Sequence, residues 1–347
     1  MFVKKILIFN PSFLGDSILT TPLIKVVKHF FSEAEIHFCV RPEYVKLFEQ
    51  LPIIDRVIPF DKRSNFKGIR GILRFSKFLK DFHYDIIISP HKSLRSTLVV
   101  KLSRPRLSIG FRNAQLNILY NKSIYRNFGL HEVERNLMLI KELVDTPLND
   151  LKNIVGSPVT NINKDYYEKA KKFLKTAAAG KPLVGISPGS IWKTKMWPGQ
   201  KFADLINKLY EKDIVTVIFS SINELDIIDN IKKNINVPFI DFSGKLELVE
   251  LASIIKCMDA CITNDTGPMH IAASLNVPVV AIFGPTTKIL GFTPYNTRNI
   301  IVEINDLYCR PCKLHGGNYC PEKHFICMNS ISVNDVLESL LKILNIL

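Results

Sequence analysis

Residues 261–287 read CITNDTGPMHIAASLNVPVVAIFGPTT. A β-type run, 260–263, stops at Asn264-Asp265-Thr266-Gly267. A helical segment, 267–275, opens on Pro268, a residue favoured just inside a helix start, and closes at Asn276 and Pro278. A second β run, 279–283, follows. Two short apolar runs joined through a helix make a βαβ unit, whose strands are parallel. The chemistry gathers at the helix start. Gly267 permits close backbone approach. The free N–H groups and the positive helix end form an anion site, to which Thr266 could add a hydroxyl donor, and His270 lies one turn in. The alternative is a purely structural helix with Asp265 or Thr266 as its N-cap.

Outward from this unit the same rhythm repeats. Residues 4–9, 36–40, 56–60 and 85–89 read as strands, with helices over 17–31, 42–50, 66–82 and 92–102. After Pro182 come strands at 183–187, 215–220, 239–242, 260–263 and 279–283, with helices over 199–211, 224–233, 245–257 and 267–275. Two doubly wound, parallel α/β sheets follow from this alternation. The boundary is expected within 151–181, giving domains 1–165 and 166–330. A C-terminal segment, 331–347, carries a last helix that packs back on the body. YDIIISPHKS (84–93) and MDACITNDTG (258–267) occupy similar places in the two halves, which suggests related domains. Ligands of open α/β sheets bind outside the carboxyl ends of the strands, so the strand-to-helix loops are where chemistry is sought.

The chain has 347 residues, 47% hydrophobic and 22% charged, the balance of a globular protein with a full core. No apolar run approaches the roughly 18 residues of a membrane span. The apolar run 6–9 is too short for a signal peptide, so a cytoplasmic location and reduced thiols for the seven cysteines are expected. The net charge of +14 is concentrated: residues 62–126 hold fifteen lysines and arginines against Asp81 and Asp85, a net +13. Compositional bias would have made the second half basic too. An anionic partner on the first half is the favoured reading, whether nucleic acid, an acidic glycolipid or a membrane surface.

Three further loops stand at strand ends. PGSIWKTKMWPGQKF (188–202) combines Gly189, Ser190, Lys193 and Lys195, a set suited to a diphosphate with lysine as counter-charge; a surface loop with solvated lysines is the alternative. SSINE (220–224) ends in Glu224, which could bond ribose hydroxyls or merely favour a helix dipole. NPSFLGDSILTTPL (10–23) has Gly15 to turn the chain and Asp16 at a helix start, as an N-cap or a general base, while Pro22 can kink the helix. Neither a G-x-G-x-x-G nor a G-x-x-x-x-G-K-[ST] motif occurs, which disfavours nicotinamide and P-loop chemistry.

LGDSILTTPL, PGS…KMWP and NDTGPMHIAASLNVPVVAIFGPT together resemble glycosyltransferase family 9, the ADP-heptose:lipopolysaccharide heptosyltransferases, in order from about Lys4 to the C-terminus. Met196 departs from the basic residue or histidine frequent in the family. The resemblance implies a GT-B fold: two Rossmann-like domains facing across a cleft, the N-terminal one binding acceptor and the C-terminal one donor. It implies Asp16 as catalytic base. It places Gly189, Ser190 and Lys195 at the donor diphosphate, Glu224 at the ribose and Leu246 at the adenine. Thr266, Gly267 and His270 fall at the helix-end site, with Asp265 at the donor sugar. It implies inverting transfer without a metal or other cofactor, and no D-x-D occurs. The anionic partner then becomes a Kdo-lipid A core at the inner leaflet of the inner membrane, making the protein peripheral there. Nucleic acid becomes the least favoured partner. Lys67, Arg70, Arg74 and Lys77 recur at helical spacing and are candidate acceptor contacts, with Ile69, Leu73 and Leu79 expected to cover the core side.

The C-terminal cysteines, Cys309, Cys312, Cys320 and Cys327, lack the paired C-x₂₋₄-C spacing of a zinc site at the second pair, and a structural thiol-rich loop is expected. Similar Cys-x-Pro-Cys segments occur in heptosyltransferase II-like members. The sequence is also compatible with two competing functions: a GT-B transferase or epimerase acting on another nucleotide sugar, and a non-catalytic basic nucleic-acid-binding protein. The latter lacks any recognisable nucleic-acid motif.

Overall fold

The computed structural model describes residues 3–49 and 51–346. Its contacts divide the chain into two compact units, Met1–Asn161 and Ile162–Leu347. The first is built on β1 (Lys5–Phe9), β2 (Glu35–Val40), β3 (Arg56–Pro59), β4 (Ile86–Ser89), β5 (Leu107–Phe111) and β6 (Lys122–Ile124), in the order β3-β2-β1-β4-β5-β6. The second uses β7 (Leu183–Ser187), β8 (Val215–Ile218), β9 (Ile240–Asp241), β10 (Ala260–Asn264), β11 (Val279–Phe283) and β12 (Asn299–Glu303), in the order β12-β11-β10-β7-β8-β9. Every strand pair is parallel. Counted within its own unit, each sheet has the same arrangement, with the strand order reversing between the first and fourth strands. That reversal point is where an open α/β sheet leaves a crevice at its carboxyl edge.

The central strands are buried on both faces, as helix-covered parallel strands must be. The equivalence suggested by YDIIISPHKS and MDACITNDTG has a physical counterpart at the opposite, amino edge. Asp85 Oδ2 accepts the N–H groups of Lys4 and Lys5 at 2.8 and 3.1 Å, and Asp259 Oδ2 accepts that of Leu183 at 2.8 Å. Each aspartate therefore satisfies backbone donors at the start of its unit's first strand.

Four expectations are corrected. The helix expected over 17–31 is two helices, Leu14–Ile18 and Thr21–Phe30, because Pro22 cannot donate within a continuous helix and instead sits in the first turn of the second; Gly15 lies inside the first rather than turning the chain. The helix expected over 245–257 spans only Leu248–Ile255, because Glu247 forms a capping box with Glu250; Leu246 lies in the irregular segment ahead of it. The segment expected as a helix over 42–50 is a 3-10 turn, Pro42–Tyr44, followed by Val45–Phe48, and Gln50 lies outside the described residues. In helix Gly68–Lys80 the core side is Ile72, Phe75 and Leu79, whereas Ile69 is 78% and Leu73 53% exposed. Phe75 sets this register by stacking on Phe60 at 4.2 Å and meeting Phe66 edge-on at 4.8 Å.

Helix Lys164–Ala178 packs on Leu248–Ile255 and so belongs to the second unit. The last helix, Val333–Leu344, lies against β10, β11, β12 and helix Gly199–Glu211 of that unit; Leu347 is outside the described residues. Trp197 anchors that core. Its indole stands edge-on to Phe202 at 4.9 Å and donates from Nε1 to the Ile331 carbonyl.

Candidate functional site

In the second unit the loops after β7 and β10 meet at the reversal point. Asn264, the last residue of β10, binds them together. Its Oδ1 accepts the Trp197 N–H at 3.2 Å, and its Nδ2 donates to the carbonyls of Pro188 (2.8 Å) and Gly189 (3.3 Å). This brings Lys195 to Asp265: Nζ lies 2.6 Å from Oδ2 and 3.3 Å from the backbone carbonyl, with both side chains almost wholly buried. Thr286, after β11, donates to the same Oδ2 at 2.7 Å. The helix Gly267–Ser274 starts here. Thr266 holds its N-cap position without a side-chain capping bond, turning its hydroxyl to the Asn264 carbonyl at 3.3 Å. Thr266 is thus the N-cap by position, without a side-chain capping bond, and Asp265 is not a cap but pairs with the lysine. A buried cation beside a helix N-terminus is a place for a dianion.

The other second-unit candidates fall around this centre. Glu224 presses its carboxylate against Gly189, where an added Cβ would sit 2.3 Å from Oε1, so a side chain at position 189 would displace that carboxylate. Its Oε2 accepts from the N–H and hydroxyl of Ser221, both at 2.8 Å, in a capping box. Ser190 is buried and accepts the Trp192 N–H at 3.1 Å. His270 is buried in the first turn of its helix, and Leu246 is half-buried. The cysteine-bearing loop braces the lysine. Thr194 exchanges three bonds of 2.8–3.0 Å with Gly317, and Gly316, at φ +82°, packs so close to Lys195 that an added Cβ would sit 3.1 Å from its Cγ. Cys312 Sγ donates to the Cys309 carbonyl at 2.9 Å, and burial pushes the Cys327 thiol up to about 11. Among the described residues no three His, Cys, Asp or Glu side chains form a group able to hold a metal ion.

In the first unit, Asp16 is the third residue of helix Leu14–Ile18, not its N-cap, which is Phe13. Its Oδ2 accepts the Ser12 hydroxyl at 2.7 Å, while Thr20 Oγ1 and Asn10 Nδ2 hold its carbonyl. Cations crowd the same edge. Lys62 Nζ donates to the Pro11 carbonyl at 3.1 Å, Arg41 Nε to the same oxygen at 3.5 Å, and Arg95 Nη1 to the Lys62 carbonyl at 2.8 Å. Burial, then the charges of Arg41, Arg95 and Arg63, push Lys62 down to about 8. His91, in the loop after β4, is pushed down to about 4, first by burial and then by Lys62. Deeper in, Glu132 pairs with Arg126 and, at 3.0 Å, with Arg135, with the Arg126 guanidinium 5.6 Å from the ring of Phe111 and 5.1 Å from that of Phe128. Lys67, Arg70, Arg74 and Lys77 are all exposed, and among the described residues none of them bonds to the Asp16 loop.

The residues that the sequence reading missed are Asn264, Thr286, Lys62 and His91. Asn264 and Thr286 both lie in the 261–287 stretch at the carboxyl ends of β runs, Asn264 closing β10 and Thr286 three residues past β11, which is the signal that could have found them.

A chain with two such sheets has the GT-B architecture of glycosyltransferases. A solved family 9 glycosyltransferase from Veillonella parvula superposes with a TM-score of 0.87 at 23% identity, covering 99% of this chain and 98% of that one. The structure of E. coli ADP-heptose lps heptosyltransferase II superposes with a TM-score of 0.80 at 22% identity, covering 98% of each. The model of glycosyltransferase family 9 (heptosyltransferase) matches residues 72–321, and the chain belongs to that family. Among curated relatives, lipopolysaccharide heptosyltransferase 1 of Pseudomonas aeruginosa is 26% identical over 91% of this chain and 88% of its own length.

Proposed function

We propose that this enzyme transfers heptose from ADP-heptose to the inner core of lipopolysaccharide, to Kdo-lipid A or heptosyl-Kdo-lipid A, with inversion and without a metal. The observation that carries the reading is the buried Lys195–Asp265 pair at the start of helix Gly267–Ser274. In this reading Lys195, the helix N–H groups and the loop from Gly189 hold the donor diphosphate as charge grows on it. Asp265 faces the donor sugar, Glu224 the ribose, and Leu246 the adenine. Asp16 takes the proton of the attacking hydroxyl, and a single displacement inverts the anomeric carbon. Family membership and the ADP-heptose named for the E. coli neighbour support the donor. Incubating the protein with ADP-heptose and Kdo-lipid A or its heptosylated form, and weighing the lipid product, tests this directly. A gain of one heptose is expected, with no transfer from UDP-sugars. EDTA is expected to leave the rate unchanged, since lysine supplies the counter-charge; a strict magnesium requirement would contradict this.

The outer face of helix Gly68–Lys80 supports a membrane-bound acceptor. Ile69 and Leu73 are exposed along one line, flanked by Arg70, Arg74 and Lys77. An apolar strip beside cations is the pattern of a helix that lies on an anionic bilayer at the inner membrane's cytoplasmic face. Among the described residues no helix is long and apolar enough to cross a membrane. Sedimentation with vesicles of mixed anionic and neutral lipid is expected to weaken for Arg70→Glu with Arg74→Glu, by about thirtyfold or more, since the two lost cations are worth roughly 1 kcal/mol each and the new acids add repulsion. The acceptor KM should rise in the same variant while the ADP-heptose KM holds. Unchanged partitioning and unchanged acceptor KM at low salt would remove this helix from the acceptor side.

A further inference from the structure

We propose that His91 is an acceptor-binding residue, donating from Nε2 to an oxygen of the sugar that docks beside Asp16. The inference rests on the function proposed above and deepens its acceptor side.

Position is the first argument. The sheets share one strand order, and Asp85 and Asp259 do the same work at the starts of β4 and β10. The register agrees: Ile86 pairs with Ile6 on β1, and Ala260 with Val184 on β7. Counting forward from the two aspartates, Ser89 matches Thr263, Pro90 matches Asn264, and His91 matches Asp265. His91 therefore stands at the reversal-point crevice of the first unit where Asp265 stands in the second. Asp16 lies on the short helix that follows β1, as Lys195 lies on the 3-10 turn that follows β7. The Asp16 carboxylate and the Lys62 ammonium both act on the imidazole through space.

The ring's bonding is the second argument. Nδ1 lies 2.6 Å from Ser96 Oγ and 3.2 Å from Ser93 Oγ, the hydroxyls are 3.1 Å apart, and Ser93 Oγ accepts the Ser96 N–H at 3.3 Å. With Nδ1 as the acceptor every donor is used: Ser96 donates to Nδ1, and Ser93 donates to Ser96. The reverse tautomer leaves the Ser93 proton without an acceptor in the triad. The first arrangement puts the ring proton on Nε2, which bonds no described residue. Burial and the nearby Lys62 keep the ring neutral at physiological pH. A neutral ring already protonated at Nε2 is a donor, not a base, so it complements Asp16 rather than competing with it. Two serines at the N-terminus of helix Leu94–Leu102 fix the ring, the support expected of a group that must aim one hydrogen bond.

The test compares His91→Ala and His91→Gln with wild type, measuring transfer from ADP-heptose, ADP affinity by calorimetry and thermal unfolding. For His91→Ala, acceptor kcat/KM should fall by about tenfold, the upper range for one hydrogen bond, with ADP affinity unchanged. His91→Gln keeps an N–H donor and should recover part of the loss. Wild-type acceptor kinetics in His91→Ala would overturn the assignment. So would equal losses in both variants accompanied by lower Tm and weaker ADP binding, which mark a structural role. A wild-type protein that adds no heptose would overturn the proposed function itself, and this inference with it, before any variant is read.

Discussion

Asp16→Asn should abolish transfer, lowering kcat by about 10²–10⁴-fold, the usual contribution of a general base. The substitution suits the local structure. Asparagine keeps the shape and offers Oδ1 to the Ser12 hydroxyl now bonded to the carboxylate. The bonds from Thr20 and Asn10 go to the Asp16 carbonyl and survive the change. What is lost is the negative charge and the basic oxygen. Asp16 also sits in the first turn of helix Leu14–Ile18, where an acid favours the helix dipole by about 0.3–1 kcal/mol, so a small drop in Tm is expected whatever its chemical role. The two roles separate in the rates. A purely structural acid would give that drop with transfer near wild type, whereas a base gives near-normal folding and ADP affinity with transfer gone. Initial rates at saturating donor and acceptor, with calorimetric titration of ADP, decide between them.

The legible parts of the fold were those where one physical signal dominated. β7 and β11 were bounded correctly because they are unbroken apolar runs between turn residues, and helix Gly199–Glu211 because Pro198 and its apolar spacing fix both ends. β5, β6 and β12 are absent from the sequence reading: in β5 Ser108 and Gly110 interrupt the apolar run, while β6 and β12 are edge strands, less buried, whose identity depends on pairing with β5 and β11 rather than on their own pattern. The inner face of helix Gly68–Lys80 was misassigned because two apolar lines run along it. Only the aromatic cluster of Phe60, Phe66 and Phe75, brought together from three segments, decides which line turns inward. At the candidate site the same division holds. Residues at strand ends could be listed from the sequence, but their pairing could not. That Asp265 grips Lys195 depends on Asn264 drawing the 188–197 loop onto β10, a contact across about seventy residues of chain. Nothing within YDIIISPHKS marks His91 apart from its neighbours; its place becomes readable only from the strand order that both sheets share.

Lys195→Ala should weaken ADP binding by tenfold or more and lower kcat by about 10²–10³-fold, the scale for removing one group that stabilises developing charge. The two effects have one cause: negative charge on the diphosphate grows as the glycosidic bond breaks, so the ammonium counts for more in the transition state than in the ground state. A complication follows from the ion pair. Lys195 and Asp265 are both nearly buried, and deleting the cation strands a buried carboxylate with Thr286 as its remaining side-chain partner. Breaking such a pair costs about 3–5 kcal/mol, enough to lower Tm visibly and to mimic a loss of function by loss of fold. The double variant Lys195→Met with Asp265→Asn resolves this. It removes both charges and keeps the packing volume that Gly316 presses against, so Tm should return close to wild type. ADP affinity and turnover should not return with it, because the counter-charge for the diphosphate is still missing. Recovery of both in the double variant would show that Lys195 serves only to neutralise Asp265, and the diphosphate would then have to be held by the helix N-terminus alone.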